Sequence, residues 1–213
     1  MYSSKGKVLF IILAMSFFAI PSLAGASGLA ERIQSAYKGL RDVKGTFVQK
    51  SFMESLKKET VYKGNFEIKF PSRMRYVYTG NSSDEVIINK GSILIYQKKE
   101  NQVLKGSFDS STYGAAPVAF LGGLGDLKKD FNVSEEKGKK LILRPKGQLE
   151  GVRYIEVEPS EGGQFPIKSF ILHDKYSNTV RISLEDVKAN TGVRNSDFVF
   201  TPPKGVNIYD YNR

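Results

Sequence analysis

The stretch GNFEIKFPSRMRYVY, residues 64–78, contains two short runs in which apolar and polar side chains alternate. Alternation with a period of two is typical of β-strands that bury one face. A turn at residues 71–73 places Phe66 opposite Tyr78 and sets the register of the pair. Opposed residues share a face, so six large side chains come together: Phe66, Ile68, Phe70, Met74, Tyr76 and Tyr78. Such a face is either an ordinary core or the wall of an apolar pocket.

The period of two continues along most of the chain, and turn signals separate the runs. Strand-like runs lie near residues 43–53, 60–70, 74–79, 84–89, 92–97, 101–104, 130–135, 139–144, 152–158, 166–173, 178–187 and 197–200. Helical spacing is clear in one segment, with Ser27 as its candidate N-cap: Leu29, Ile33, Ala36, Tyr37 and Leu40. About eleven antiparallel strands with few helices predict a mainly β, α+β protein, built as a curled sheet, a sandwich or a barrel.

Two strands are apolar on both faces. Residues 86–88 are Val-Ile-Ile and residues 93–96 are Ile-Leu-Ile-Tyr. Antiparallel strands that face water on one side alternate instead, so these two need cover on both sides. This favours a hollow or half-barrel form with helical cover inside it over a flat, solvated sheet.

Residues 113–126, YGAAPVAFLGGLGD, interrupt the β pattern. The stretch is small, apolar and rich in glycine, and Pro117 is well placed to begin a short helix. Its large side chains are Val118, Phe120 and Leu121. The segment is either a helix that plugs one end of the sheet or a movable lid, because glycines on both sides permit hinging.

Residues 1–26 have the features of a cleaved secretory signal peptide. Two lysines precede an unbroken apolar run from Val8 to Ile20, and Ala24-Gly25-Ala26 supplies small residues for cleavage. The run is shorter than the roughly 20 residues of a membrane span. We therefore expect residues 27–213 to form one exported domain in a bacterial periplasm. Because the chain contains no cysteine, disulfides and thiol chemistry are excluded and packing alone must hold the domain together.

The sequence offers no set of residues that predicts catalysis. His173 is the one histidine, it has no cysteine partner, and we expect it to face solvent at a strand end. Neighbouring carboxylates such as Asp84 and Glu85 point to opposite faces of a strand and cannot serve one site. We predict no enzyme activity, no metal and no cofactor. The net charge of +10 fits solvated strand ends or attraction to acidic partners and anionic lipid headgroups; an exported protein rarely meets nucleic acid, so we expect none as a partner.

Several short motifs, in this order and spacing, resemble one known family. Gly45-Thr46-Phe47-Val48-Gln49 follows the first helix, residues 64–69 and Pro71 come next, and the chain ends with FVFTPPKGV at residues 198–206. In these motifs the chain resembles the outer-membrane lipoprotein carrier proteins of the LolA type, over essentially the whole of residues 27–213.

The resemblance implies an unclosed antiparallel half-barrel of eleven strands, with a helical lid over a hydrophobic cavity. It implies a monomeric periplasmic chaperone in outer-membrane biogenesis that carries acylated lipoproteins. An inner-membrane lipoprotein-releasing ABC transporter supplies this cargo, and an outer-membrane receptor lipoprotein accepts it. The implied lid residues are Pro117, Val118, Phe120 and Leu121, and the implied acyl-binding residues are Phe47, Phe66, Ile68, Met74, Tyr76 and Tyr78. Phe70 is predicted to line the same cavity because it shares the hairpin face.

The chain departs from the family pattern at Phe70. Many members have an arginine there that hydrogen-bonds to the lid, so closure in this chain is either apolar or uses Arg73 or Arg75. Two other functions remain open on the same fold. One is a carrier of a different amphiphile, such as a glycolipid, and the other is a periplasmic sensor or regulatory module that binds a membrane protein.

Overall fold

The computed structural model describes residues 28–80, 82–108, 117–122, 127–147, 149 and 151–211. The predicted signal peptide, residues 1–26, and much of the 113–126 stretch lie outside the described residues. Twelve described strands are β1 Asp42–Met53, β2 Lys58–Lys69, β3 Arg73–Thr79, β4 Glu85–Asn89, β5 Ser92–Gln97, β6 Gln102–Ser107, β7 Phe131–Glu136, β8 Lys140–Pro145, β9 Val152–Pro159, β10 Ile167–Asp174, β11 Thr179–Ala189 and β12 Asn207–Asp210. The α-helices are α1 Leu29–Lys38 and α2 Leu127–Asp130, and short 3₁₀ helices span Glu54–Leu56, Pro117–Gly122 and Asn195–Phe198.

The twelve strands form one sheet in the order β12-β6-β5-β4-β3-β2-β1-β11-β10-β9-β8-β7. Neighbours are antiparallel except β12, which runs parallel to β6. The two outermost strands, β12 and β7, do not pair with each other in the described sheet, so the sheet is unclosed. The predicted mainly β fold with an unclosed sheet is confirmed. Among the residues that the structure describes, no helix is both long and apolar enough to cross a membrane.

The predicted register of the β2–β3 hairpin is wrong by two residues. The loop consists of residues 70–72, so Phe66 faces Tyr76 and Gly64 faces Tyr78. Phe70 leaves the strand because its N–H donates to the Arg41 carbonyl and its ring packs edge-on against Tyr37. A slip of two keeps every side chain on its predicted face, and the four residues in the centre of the hairpin are all buried: Phe66, Ile68, Met74 and Tyr76.

The two α-helices and the 117–122 helix lie on one face of the sheet, here called the inner face. The N-cap of α1 is Gly28 rather than the predicted Ser27, which lies outside the described residues. Glu135 of β7 takes over the capping role, since its carboxylate accepts a hydrogen bond from the Ala30 N–H at 3.3 Å. The buried side of α1 then packs into one apolar cluster with the inner face and the 117–122 helix. These helices provide the inner cover that was predicted for the two strands that are apolar on both faces.

The outer face of β4 and β5 is covered by the C-terminal segment. Ile87 of β4 packs against Val193 and Phe198, and Tyr96 of β5 has its ring 5.1 Å from that of Phe200. This explains why the two strands are apolar on both sides. The predicted strand at residues 197–200 is wrong, because this segment is a 3₁₀ helix and its following chain, and β12 lies further on.

Two glycines make room for two phenylalanine rings between β1 and β2. Gly45 faces Phe66, and Phe47 faces Gly64, in a reciprocal arrangement. A Cβ on Gly64 would lie 2.6 Å from Phe47 Cζ, and one on Gly45 would lie 3.1 Å from Phe66 Cε1. Each ring therefore lies over the opposite glycine, and this pair of contacts forms the centre of the inner face.

Candidate functional site at one end of the half-barrel

A cavity of about 840 Å³ opens at the end of the sheet where several hairpins turn. Its rim comes from the β1–β2 connection, the β3–β4 connection, the β5–β6 turn and the β10–β11 turn. The backbone N–H of Glu54 donates to the Asn178 side chain at 2.8 Å and so joins two of these turns. Asp174 closes the β10–β11 turn by accepting from the N–H groups of Tyr176 and Asn178, each at 2.8 Å.

The walls of the cavity are partly apolar and partly polar. The apolar wall contains Tyr76 and Val86 from the buried inner face, with the half-buried Ile95 and Val180 beside them. The polar wall includes, from β1 onward, Gln49, Ser51, Thr60, Tyr62, Tyr78, Ser82 and Asp84. Apolar walls with a few placed polar groups are typical of sites for amphiphilic ligands.

The phenol of Tyr78 is held firmly in this wall. Its ring lies 5.5 Å from that of Phe47, 5.7 Å from that of Tyr76 and 5.8 Å from that of Tyr62. Its hydroxyl donates to Gln49 Oε1 at 3.0 Å. Burial, with a smaller contribution from Asp84, raises the pKa of Tyr78 above its ordinary value, so the hydroxyl remains a donor at neutral pH.

Asp84 is the acidic group on the same side of the cavity. Burial raises the pKa of Asp84, and the nearby Glu100 carboxylate raises it further. Both carboxylates line the cavity together with Lys58 and Lys99, so the rim carries both signs of charge.

The predicted acyl-binding residues occupy three different places. Tyr76 and Tyr78 line the cavity. Four others are buried in the packed inner cluster and do not line this cavity: Phe47, Phe66, Ile68 and Met74. Phe70 lies at the opposite end of the sheet, half-buried between Tyr37 and the surface.

The predicted lid residues lie in the 117–122 helix, which begins at Pro117. Val118, Phe120 and Leu121 are fully buried. The ring of Phe120 packs 5.2 Å from Phe170 and 6.0 Å from Phe131. In this structure the helix is therefore seated against the inner face.

Tyr37 provides the polar link to this helix, in place of an arginine. Its hydroxyl donates to the Leu121 carbonyl at 3.1 Å in a buried setting. Arg75, one alternative from the sequence, is committed to Glu85 at 2.8 Å. Arg73 and Arg75 alternate with the buried Met74 and Tyr76, so they point to the outer face, away from the helix.

Sequence reasoning missed Gln49, Ser51, Val86, Ile95 and Val180 as cavity residues. A signal for two of them was present, because the inward-facing positions of β1 change from Phe47 to Gln49 and Ser51 as the strand nears its end. The other three could not be assigned, because they resemble core residues until the turns around them are placed.

The described residues contain no group of three or more His, Cys, Asp or Glu side chains placed to hold a metal ion. His173 lies in β10, half-buried, where it stacks on Tyr154 at 4.1 Å and contacts Glu156 at 2.9 Å. These contacts give His173 a structural role on the outer face of the sheet.

The comparisons with known proteins agree with the geometry. The family model described as "Outer membrane lipoprotein carrier protein LolA" matches residues 38–201. An outer-membrane lipoprotein carrier protein of Bordetella avium (strain 197N) is 26% identical over 205 residues, covering 93% of this chain and 97% of the relative. One from Neisseria meningitidis (serogroup C, strain FAM18) is 24% identical over 208 residues, covering 96% and 98%.

A solved structure shows the same fold. A LolA superfamily protein from Nitrosomonas europaea has a TM-score of 0.53 at 9% identity, covering 81% of this chain and 96% of that one. The family consists of carrier proteins rather than enzymes, as the sequence predicts. On the family match over most of its length, the chain belongs to the LolA family of outer membrane lipoprotein carrier proteins.

Proposed function

We propose that the protein is a periplasmic carrier that binds the acyl chains of lipoproteins and shuttles them from the inner to the outer membrane. The observation that supports this most directly is the cavity of about 840 Å³, whose apolar wall continues into the buried inner face. Its volume falls in the range of roughly 300–1,000 Å³ found for small-molecule sites. The names of the curated relatives support lipoproteins as cargo.

Acyl chains enter this cavity between Val86, Ile95 and Val180 and reach Tyr76 and Tyr78. Longer chains extend along the inner face when the 117–122 helix moves. Four further residues then contact them: Phe47, Phe66, Ile68 and Met74. Each buried methylene contributes about 0.8 kcal/mol, so several chains are held without any charged site. Release then depends on partners that change the position of the helix, not on chemistry.

Those partners are an inner-membrane ABC transporter that loads the carrier and an outer-membrane receptor lipoprotein that unloads it. Both encounters take place in the periplasm. Residues 1–26 act as a signal peptide that directs the chain there and is then cleaved.

Substitution of Val180 by glutamate tests the cavity. Val180 is half-buried in the cavity wall, so a carboxylate there can reach water without unfolding the domain. We expect Val180→Glu to lower the affinity for a fluorescent diacylated lipopeptide by tenfold or more, because bound methylenes would lie next to a charge. Fluorescence titration measures the affinity, and circular dichroism verifies the fold.

Val61→Glu is the matched control. Val61 is 42% exposed and points to the outer face of β2, so the same chemical change lies outside the cavity. The control should bind like the unmodified protein. Equal affinities for all three proteins, or no uptake by the unmodified protein, would contradict the proposal. Native mass spectrometry of protein purified from the periplasm distinguishes a lipoprotein cargo from a free lipid.

A further inference from the structure

The inner face of β1 becomes polar as the strand approaches the cavity. Phe47 belongs to the apolar cluster, whereas the next two inward-facing residues, Gln49 and Ser51, line the cavity. Gln49 is only 8% exposed, so its amide is largely withdrawn from bulk water. Buried polar side chains are normally hydrogen-bonded, and a buried donor or acceptor without a partner costs free energy.

Each end of the Gln49 amide is held in place. The Tyr78 hydroxyl donates to Oε1 at 3.0 Å, and Nε2 donates to Ser51 Oγ at 3.1 Å. A primary amide has two N–H donors, and the second N–H of Gln49 finds no acceptor within the described part of the chain. Ser51 accepts from Gln49, which leaves its own O–H available to donate. Two donors therefore lie beside each other in a cavity with apolar walls.

Resting on the proposed carrier function, we infer that Gln49 and Ser51 bind a carbonyl oxygen of the ester or amide that joins an acyl chain to its head group. A carbonyl oxygen is an acceptor only and matches this pair of donors. Tyr78 is a positioning residue, because its hydroxyl fixes the orientation of the amide while its ring is packed among Phe47, Tyr62 and Tyr76. The cavity thus selects acyl compounds over hydrocarbons of the same length.

Two probes that differ only in their carbonyl groups test this inference. One is a peptide bearing an S-[2,3-bis(palmitoyloxy)propyl]cysteine, and the other is its dialkyl ether analogue. We expect the unmodified protein to bind the diester about threefold to tenfold more tightly, the preference that one net hydrogen bond provides. Both affinities are measured by displacement of the same fluorescent lipopeptide.

Gln49→Leu should abolish the preference and leave the affinity for the ether unchanged or higher. Ser51→Ala removes one donor at a half-buried position and should lower the preference without unfolding the domain. Tyr78→Phe should lower it as well, since the ring remains but the amide is no longer oriented. Ser183→Ala, on the outer face of β11 next to the buried Ile182, is the control and should keep the full preference.

Equal binding of the two probes by the unmodified protein would overturn the inference while leaving the carrier function intact. An undiminished preference in both Gln49→Leu and Ser51→Ala would overturn it too. Failure of the unmodified protein to bind either probe would overturn the carrier function and this inference together.

Discussion

At the scale of single residues, Tyr37 connects α1 to the 117–122 helix. Its hydroxyl donates to the buried Leu121 carbonyl at 3.1 Å, and its ring contacts Phe70 and Phe165. Phe70, where the family resemblance implies an arginine, therefore contributes an apolar contact, and Tyr37 from another element supplies the hydrogen bond. The helical spacing of α1 predicts that Tyr37 is buried, but it cannot predict a hydroxyl partner that is a backbone carbonyl far along the chain.

Substitution of Tyr37 by phenylalanine should loosen the seating of the 117–122 helix. The change keeps the ring and leaves the Leu121 carbonyl buried without its donor, which costs about 1–3 kcal/mol in the free energy of unfolding. Urea denaturation measures that loss, and hydrogen exchange should show faster exchange in residues 118–122. Tyr176→Phe, at a tyrosine that is 66% exposed, should alter neither quantity. An unchanged free energy of unfolding for Tyr37→Phe would show that the hydrogen bond does not hold the helix.

At the scale of elements, the pairing of β1 with β2 depends on the two glycine–phenylalanine contacts. Gly64→Ala would place a Cβ 2.4 Å from the Val77 carbonyl oxygen and 2.6 Å from Phe47 Cζ. Because the first of these atoms belongs to the backbone, the strand itself must shift. We expect a loss of about 1–3 kcal/mol in the free energy of unfolding, as is usual for overpacking.

Gly106→Ala in β6 is the matched control for that substitution. Its nearest neighbour would be Ile93 Cγ2 at 3.7 Å, an ordinary van der Waals contact. The control should be neutral or slightly stabilising, because alanine restricts the unfolded chain more than glycine does. Similar losses for both variants would mean that the close approach of Phe47 and of the Val77 carbonyl to Gly64 is unimportant. Urea denaturation of the two proteins under the same conditions decides between these outcomes.

The strands were largely predictable, but their partners and exact pairing were not. A period of two reflects burial of one face, and that local property locates β1 to β11 to within a few residues. The register of β2 with β3 depends on where Phe70 packs, and the true twelfth strand depends on pairing with β6, which is distant in sequence. Residues 198–200 alternate like a strand because they cover Ile87 on the outer face.

The candidate site was only partly predictable for the same reason. Inward-facing positions can be read from the alternation of apolar and polar residues, so the sequence identifies Tyr76 and Tyr78 as facing inward. Whether an inward-facing residue meets open space or a helix depends on how far each helix reaches, which the pattern does not contain. Phe47 and Phe66 are therefore indistinguishable from Tyr78 in the sequence, although the first two are packed and the last lines the cavity.

At the scale of the whole molecule, Asp42 joins the beginning of the sheet to the C-terminal segment. Its carboxylate accepts from the Thr191 N–H at 2.7 Å, the Thr191 hydroxyl at 3.0 Å and the Gly192 N–H at 3.1 Å. Burial acts to raise the pKa of Asp42, but these hydrogen bonds outweigh it and hold the pKa below its ordinary value. The segment that they anchor continues to Phe198 and covers the outer face.

This arrangement predicts a specific loss of stability in acid. Because the pKa of Asp42 is lower in the folded state, its contribution is present in full above the unfolded value of about 3.9 and disappears as the pH falls below it. Asp42→Asn should therefore be less stable near neutral pH and show a flatter pH dependence below about pH 4. Thermal unfolding between pH 7 and pH 2 measures this, with the exposed Asp130→Asn as control. A parallel pH dependence for Asp42→Asn and the unmodified protein would contradict the assignment.

The buried 117–122 helix also bears on how tightly a carrier of this design holds its cargo. Under the proposed carrier function, Val118, Phe120 and Leu121 occupy the inner face that long acyl chains would use, so the helix competes with the cargo for that face. The observed affinity is then the intrinsic affinity multiplied by the fraction of molecules in which the helix is displaced. A partner that prefers the displaced form strengthens cargo binding, and one that prefers the seated form weakens it, without touching the cargo. Under the same proposal, two partners with opposite preferences for the position of this short helix would set the direction of transport.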